Sequence, residues 1–221
     1  MNRAPVADIA VFDLDGTITR HDTLVHFLAG FAARRPARAL RLWRSPVALG
    51  RYLAGGEDRG ELKASLIRYL LGDLDRATIE AWADEFCRAI LPGLLNPGAL
   101  RVIEQHRTEG HRLVLLSASV DLYVPRIAAG LGFHSTLCTE LTWREDRLES
   151  RLATPNRRGE EKLSCLRNLR AQHPEARIAA YGNAASDLAH LVEADTGCLV
   201  NAPVTLQAQA RALNLAYQDW R

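Results

Sequence analysis

Three short apolar runs in this chain end abruptly on residues with oxygen or nitrogen chemistry. Ile9–Phe12 (IAVF) runs into Asp13-Leu-Asp-Gly-Thr17, Arg112–Leu116 (RLVLL) stops at Ser117, and Ala176–Tyr181 (ARIAAY) stops at Gly182-Asn183, with Asp187 four residues further on. Short runs bounded this sharply fit strands buried on both faces. Between them lie segments with helical periodicity, such as Leu24, Phe27, Leu28 and Phe31 at i, i+3, i+4 and i+7. Strands separated by helices imply the α/β class, a doubly wound, mostly parallel sheet with helices on both faces. Its strands run the same way, so their polar ends share one rim, where ligands bind in such folds.

The alternation has one long interruption. From roughly Thr23 to Leu91 no strand-like alternation occurs, and helical periodicity continues through Leu66, Tyr69 and Leu70 and through Ile79, Trp82, Phe86 and Ile90. Pro36, Pro46 and Gly55-Gly56 punctuate this block, and LPGLLNPG (Leu91 to Gly98) reads as the return hinge. The expected organisation is a core of residues 1–20 and 98–221 with a helical insert over 21–97. Further on, Ala99 to Glu109 and Leu122 to Leu131 read as helices closed by Gly110 and Gly132. Ser135 to Leu141 and Leu148 to Leu152 read as two strands around the charged turn WREDR. Glu160 to Gln172 and Ser186 to Ala194 read as helices, Gly197 to Val200 as a last strand, and Val204 to Tyr217 as a last helix.

At 221 residues, one domain with an insert is expected. A net charge of +2 points to no nucleic-acid partner. Cys87, Cys138, Cys165 and Cys198 form no CxxC pair and read as free thiols of a reducing, cytoplasmic compartment. The N-terminal apolar stretch is too short for a signal peptide, and no run approaches the ~18 apolar residues of a spanning helix. The seven histidines show no ligand spacing, and none is assigned a role.

The rim is where chemistry is expected. Asp13 and Asp15 stand two residues apart at the edge of a core, where like charges repel and desolvation is costly. A bound cation offsets that cost. Carboxylates, an amide and a hydroxyl, without a His/Cys cluster, suit Mg²⁺.

In order and context, DLDGT, the strand-ending Ser117, Lys162 and GNAASD resemble the four motifs of the haloacid dehalogenase superfamily of phosphatases, over the whole chain. The helical insert sits where the phosphoserine-phosphatase-like subfamily carries a helical cap. GHRLVLLSASVDLY and PNRRGEEKLSCL are similar to a branch that includes phosphatidylglycerophosphatase C-like proteins. The resemblance implies a Mg²⁺-dependent phosphatase. Asp13 would be the nucleophile that forms an aspartyl-phosphate, and Asp15 the acid and base. Thr17 would fix Asp13 and, with Ser117 and Lys162, hold the phosphoryl group. Asp13, the Asp15 backbone carbonyl, Asn183 and Asp187 would hold the metal. Asn183 departs from the family's usual aspartate and brings no charge.

Several positions keep two readings. Asp22 is either the N-cap of the first insert helix or a substrate-reading acid, and Ser119 reads as an N-cap before Val120. Arg34, Arg35, Arg38, Arg41, Arg44 and Arg51, with Leu40, Trp43 and Val47 beside them, fit either a solvated or phosphate-funnelling face or contact with an anionic membrane surface. The expected substrate is a small phosphorylated metabolite or a phospholipid head-group phosphate. The competing functions are a non-catalytic phosphate-binding module and a phosphomutase.

Overall fold

The computed structural model describes residues 8–40 and 59–221. In chain order its elements are β1 Ile9–Phe12, α1 Thr23–Arg34, α2 Pro36–Ala39, α3 Arg59–Leu71, α4 Arg76–Ala89, α5 Leu91–Leu94, α6 Pro97–Thr108, β2 Arg112–Val120, α7 Val124–Gly130 and β3 Ser135–Thr139. There follow β4 Leu141–Arg144, β5 Arg147–Leu152, α8 Glu160–Gln172, β6 Ile178–Gly182, a 3₁₀ turn Ala185–Asp187, α9 Leu188–Glu193, β7 Thr196–Val200, α10 Val204–Ala212 and β8 Ala216–Gln218.

Six strands form one sheet in the order β3-β2-β1-β6-β7-β8, and every neighbouring pair is parallel. β1 lies between β2 and β6, so the chain leaves it in one direction and later returns on the other side. That reversal opens a crevice beyond the carboxyl ends of β1 and β6. The apolar runs are continuous because the sheet is covered on both faces. Ala10 and Phe12 face a cluster with Leu113, Leu115, Phe27, Phe86 and Tyr123, whereas Ile9 and Val11 face one with Val114, Leu116, Ile178, Leu166 and Leu191.

The described residues between 23 and 94 are helical apart from short connections. They pack on the first face of the sheet through tilted and edge-on rings: Phe27 lies 4.6 Å from Tyr123, 5.2 Å from Phe86 and 5.7 Å from Trp82. Asp22 and Asp75 cap α1 and α4, accepting from the backbone N–H groups of Leu24 and Val25, and of Thr78. Of the arginine-rich stretch, Arg34 pairs with Glu85 at 2.7 Å and lies over the Trp82 ring. Arg35 lies over Phe31, and Arg38 donates to the Leu70 and Gly72 carbonyls. Arg41, Trp43, Arg44, Val47 and Arg51 lie outside the described residues.

Four expectations change. The stretch 135–141 is not one strand: it breaks at Glu140, β3 joins the sheet edge, and β4 turns into β5 as a separate antiparallel hairpin. Glu145 and Asp146 both take positive φ, 46° and 64°, which suits a tight two-residue turn. The last helix stops at Ala212 rather than Tyr217, because Asn214 at φ 57° reverses the chain and Ala216–Gln218 adds a sixth strand. The helix expected over Leu122 to Leu131 shortens to Val124–Gly130. Ser119 is not an N-cap, since β2 continues through Val120. The four cysteines are free, as expected. No helix among the described residues is long and apolar enough to cross a membrane.

Candidate active site

The turn after β1 is built around Gly16. Its φ of 83° is costly for a side chain, and a Cβ there would stand 1.9 Å from the Asn183 amide nitrogen. Asn201 fixes the same turn by donating its amide to the Gly16 carbonyl. The first carboxylate thereby faces inward. Asp13 is 6% exposed and receives the Thr17 hydroxyl on Oδ2 at 2.9 Å and the Lys162 ammonium on Oδ1 at 2.6 Å.

Lys162 lies in the first turn of α8 and is 3% exposed. Its Nζ also donates to Asp187 Oδ1 at 2.7 Å. The other oxygen of Asp187 accepts the backbone N–H groups of Asn183 and Ala184, both at 3.0 Å. Gly182 lets this loop fold so closely, since a Cβ there would meet the Asp187 Cβ at 2.7 Å. Burial raises the Asp13 carboxyl to about 7 against the opposing pull of Lys162. Burial also works against the charged forms of Asp187 and Lys162, but each is outweighed. Lys162 above all holds Asp187 below the ordinary carboxylate range, and the two carboxylates keep Lys162 an ammonium.

Asp15 faces different partners. The Thr23 N–H and hydroxyl both donate to its Oδ1 at 2.6 Å, and the Ser119 hydroxyl donates to its Oδ2 at 2.6 Å. Tyr123 closes the arrangement with its hydroxyl 3.1 Å from that of Thr23. Burial first, then Asp22, pushes the Asp15 carboxyl up, while these neutral donors pull it down.

Asp13, Asp15, Asp22, Lys162, Asn183 and Asp187 line one cavity of about 120 Å³. Thr17 supports it from below through Asp13. Ser117 is fully buried, its hydroxyl accepts the Ser119 N–H, and the cavity wall beside it is formed by Ala118 and Ser119. Asp22 caps α1 and also lines the cavity.

Lys63, Asn156 and Arg158 also line the cavity, and sequence reasoning missed them. Lys63 reaches from α3 to the Ala118 carbonyl and to Asn156 Oδ1. The one available signal was the polar run PNRRGEEK, which carries two of the three.

The wall thus presents four carboxylates, three cationic side chains and two amides. A divalent cation together with a phosphate dianion would leave that balance unchanged. The donors are all hard oxygens, with no thiolate or imidazole, as Mg²⁺ requires.

Residues 10–191 match the haloacid dehalogenase-like hydrolase family. Protein CicA of Caulobacter vibrioides is 35% identical over 189 residues, covering 85% of this chain and 83% of that protein. A crystal structure of a protein of unknown function from Bordetella pertussis superposes with a TM-score of 0.82 at 22% identity, over 98% of this chain and 100% of that one. A substrate-bound phosphoserine phosphatase superposes with a TM-score of 0.68 at 16% identity, over 97% of this chain and 94% of that one.

Proposed function

This chain belongs to the haloacid dehalogenase-like hydrolases and is a phosphatase, and on that premise we propose that it cleaves a phosphate monoester in two displacements at Asp13. A carboxylate oxygen of Asp13 attacks phosphorus, the bond to the substrate's leaving oxygen breaks, and Asp15 gives that oxygen its proton. Asp15 then takes a proton from water as that water attacks the aspartyl-phosphate. Inorganic phosphate leaves, and Asp13 is restored. The observation that carries this reading is the contrast across one cavity. Burial favours the neutral form of both carboxyls; at Asp13 a buried ammonium opposes it, whereas at Asp15 hydroxyl and amide donors do.

Lys162 stabilises charge on the phosphoryl oxygens, and Ser119 and Thr23 aim Asp15. Thr17 orients Asp13, and Ser117 supports the loop through the Ser119 N–H. Mg²⁺ suits Asp13, the Asp15 carbonyl, Asn183 and Asp187, and there it would offset the repulsion between Asp13 and an incoming phosphate dianion. Residues 21–97 act as the cap that selects the substrate, and Lys63 brings a cation from it to the cavity wall. The substrate class is a small phosphorylated metabolite or a lipid head-group phosphate.

The test is turnover of p-nitrophenyl phosphate with Mg²⁺, followed by a screen of phosphorylated metabolites and phosphatidylglycerol phosphate. Chelation should remove activity, and Asp13 should carry the phosphoryl group in a quenched reaction. Asn183→Asp should lower the half-maximal Mg²⁺ concentration by about 5- to 150-fold, since it adds a unit charge beside the ion. A higher or unchanged value would place Asn183 away from the metal. Phosphate transfer to a second hydroxyl, without free phosphate, would replace the hydrolytic reading by a mutase.

A further inference from the structure

Gly110, at φ 77°, ends α6 and folds the chain back so that the His111 N–H reaches the His106 carbonyl at 2.9 Å. This turn puts His106, Glu109 and His111 side by side at the start of β2, the opposite end of that strand from Ser117 and Ser119. The Nδ1 atoms of the two histidines stand 2.7 Å apart. Glu109 Oε2 lies 3.5 Å from Nδ1 of His111 and 3.9 Å from Nδ1 of His106. Among the described residues this is the one group of three or more His, Cys, Asp and Glu side chains whose ligand atoms all approach within 4.8 Å.

We propose that His106, Glu109 and His111 form a second cation site, for Zn²⁺ or a similar borderline dication, with two imidazoles and one carboxylate as ligands and solvent in the fourth position. Ligand atoms held ~2.0–2.1 Å from a tetrahedral ion lie roughly 3.3–3.4 Å from one another. The three observed separations bracket that value, so small rotations of exposed ends complete the site. The rear of His106 is already prepared. Its Nε2 lies 2.8 Å from the Tyr181 hydroxyl, and an oxygen partner on the far nitrogen is what fixes the tautomer of a ligating histidine. With Nε2–H given to Tyr181, Nδ1 presents its lone pair toward His111 and Glu109. The same ring packs edge-on against Phe12 at 5.8 Å, which holds its plane. Burial lowers the His106 pKa, which favours the neutral, ligating form. The site borders a cavity of about 250 Å³ near Asp8 and Arg177, with room for a solvent ligand.

Such an ion would clasp the end of α6 to the start of β2 and, through Tyr181, to β6. At 100 times its dissociation constant it would multiply the folded-to-unfolded ratio by about 100.

The test uses Co²⁺ as a spectroscopic stand-in, with the full chain in excess Mg²⁺. One Co²⁺ per chain should bind with intense visible absorption of tetrahedral type, and Zn²⁺ should displace it. His111→Gln should weaken binding by at least about 30-fold, and Glu109→Gln by about 10-fold. Both side chains are partly exposed, so both variants should fold and keep their phosphatase activity. Zn²⁺ should raise the melting temperature of the wild type and not of His111→Gln. Absence of the visible band in the wild type would overturn the proposal. So would a band that survives His111→Gln but is lost in Asp187→Asn, which would assign the ion to the phosphatase cavity.

Discussion

The two sides of the cavity hold their carboxylates by opposite means. On the β6 side, Asp13 and Asp187 share one buried ammonium, Lys162, and the arrangement is ionic. On the helical side, Asp15 has hydroxyl and amide donors from Thr23 and Ser119, and the largest effect of a charged neighbour is repulsive, from Asp22. Sequence separation between the two aspartates is two residues, yet their surroundings share almost nothing. A nucleophile must keep its charge beside a phosphate dianion, and an acid must be able to hold a proton. Environment assigns the two roles where residue type cannot.

The largest effect that breaks this contrast is at Asp13. Asp13→Asn should leave the fold intact and reduce kcat by about 10⁴-fold or more, since no other group on that side replaces the nucleophile. Asp15→Asn should cost about 10²- to 10⁴-fold, the range of a lost proton donor. Steady-state rates on p-nitrophenyl phosphate check both. A larger loss at Asp15 than at Asp13 would reverse the assignment of roles.

The ionic side should also be the fragile one. Lys162→Met leaves Asp13 and Asp187 buried without their counter-charge, and should cost about 3–5 kcal/mol in urea unfolding. Mg²⁺ should restore part of that loss in the variant. Equal midpoints with and without the ion would separate the metal from these carboxylates.

A pH dependence sharpens the comparison further. His190 is buried three residues beyond Asp187, and burial first, then Lys162, pushes its ring down to about 4. Between about pH 6.5 and 4 the unfolded chain therefore takes up a proton that the folded chain refuses. The contribution of His190 to stability, full above pH 6.5, should decline by about 3 kcal/mol as pH falls to 4, against an opposite trend from the raised Asp13 carboxyl. His190→Leu should flatten that part of the profile, and an unchanged slope would exclude this ring as its source.

The smallest effect is expected on the side of the neutral donors. Thr23→Val removes one of three donors to Asp15 and keeps the backbone one. It should lower kcat by roughly tenfold, about 1.4 kcal/mol, with KM nearly unchanged. A change in KM alone would move Thr23 from aiming the acid to binding substrate.

Much of this was legible in the sequence, and unevenly so. The parallel core could be read because Ile9–Phe12 and Leu113–Leu116 are buried on both faces, and Ile178–Tyr181 is an apolar run with Ala179 and Tyr181 partly buried. Asp13, Asp15, Lys162, Asn183 and Asp187 could be placed on one rim because parallel strands leave no other arrangement. β8 escaped because Ala216–Gln218 is a half-exposed edge strand with no apolar alternation, and its turn depends on Asn214 at positive φ rather than on glycine. Ser119 was misread because a serine two places after a strand-ending serine looks like a cap, whereas β2 simply runs on to Val120. Lys63 reaches the cavity only through tertiary packing of α3, and no local pattern reports that. The nearness of His106 to His111 depends on the backbone of Gly110, so a search for ligand spacing passes over it.

The ring cluster of Phe27, Trp82, Phe86 and Tyr123 has a reach beyond packing. Tyr123 positions the Thr23 hydroxyl, and Thr23 positions Asp15. The positional tolerance of the acid is therefore set by apolar contacts two links away, where a methylene-sized error is passed along a chain of stiff parts. Displacements of about 1 Å at reacting groups are costly in rate. Drift at Phe86 or Trp82 would be felt first as slower chemistry in a folded protein, so these aromatic positions inherit the selection that acts on Asp15.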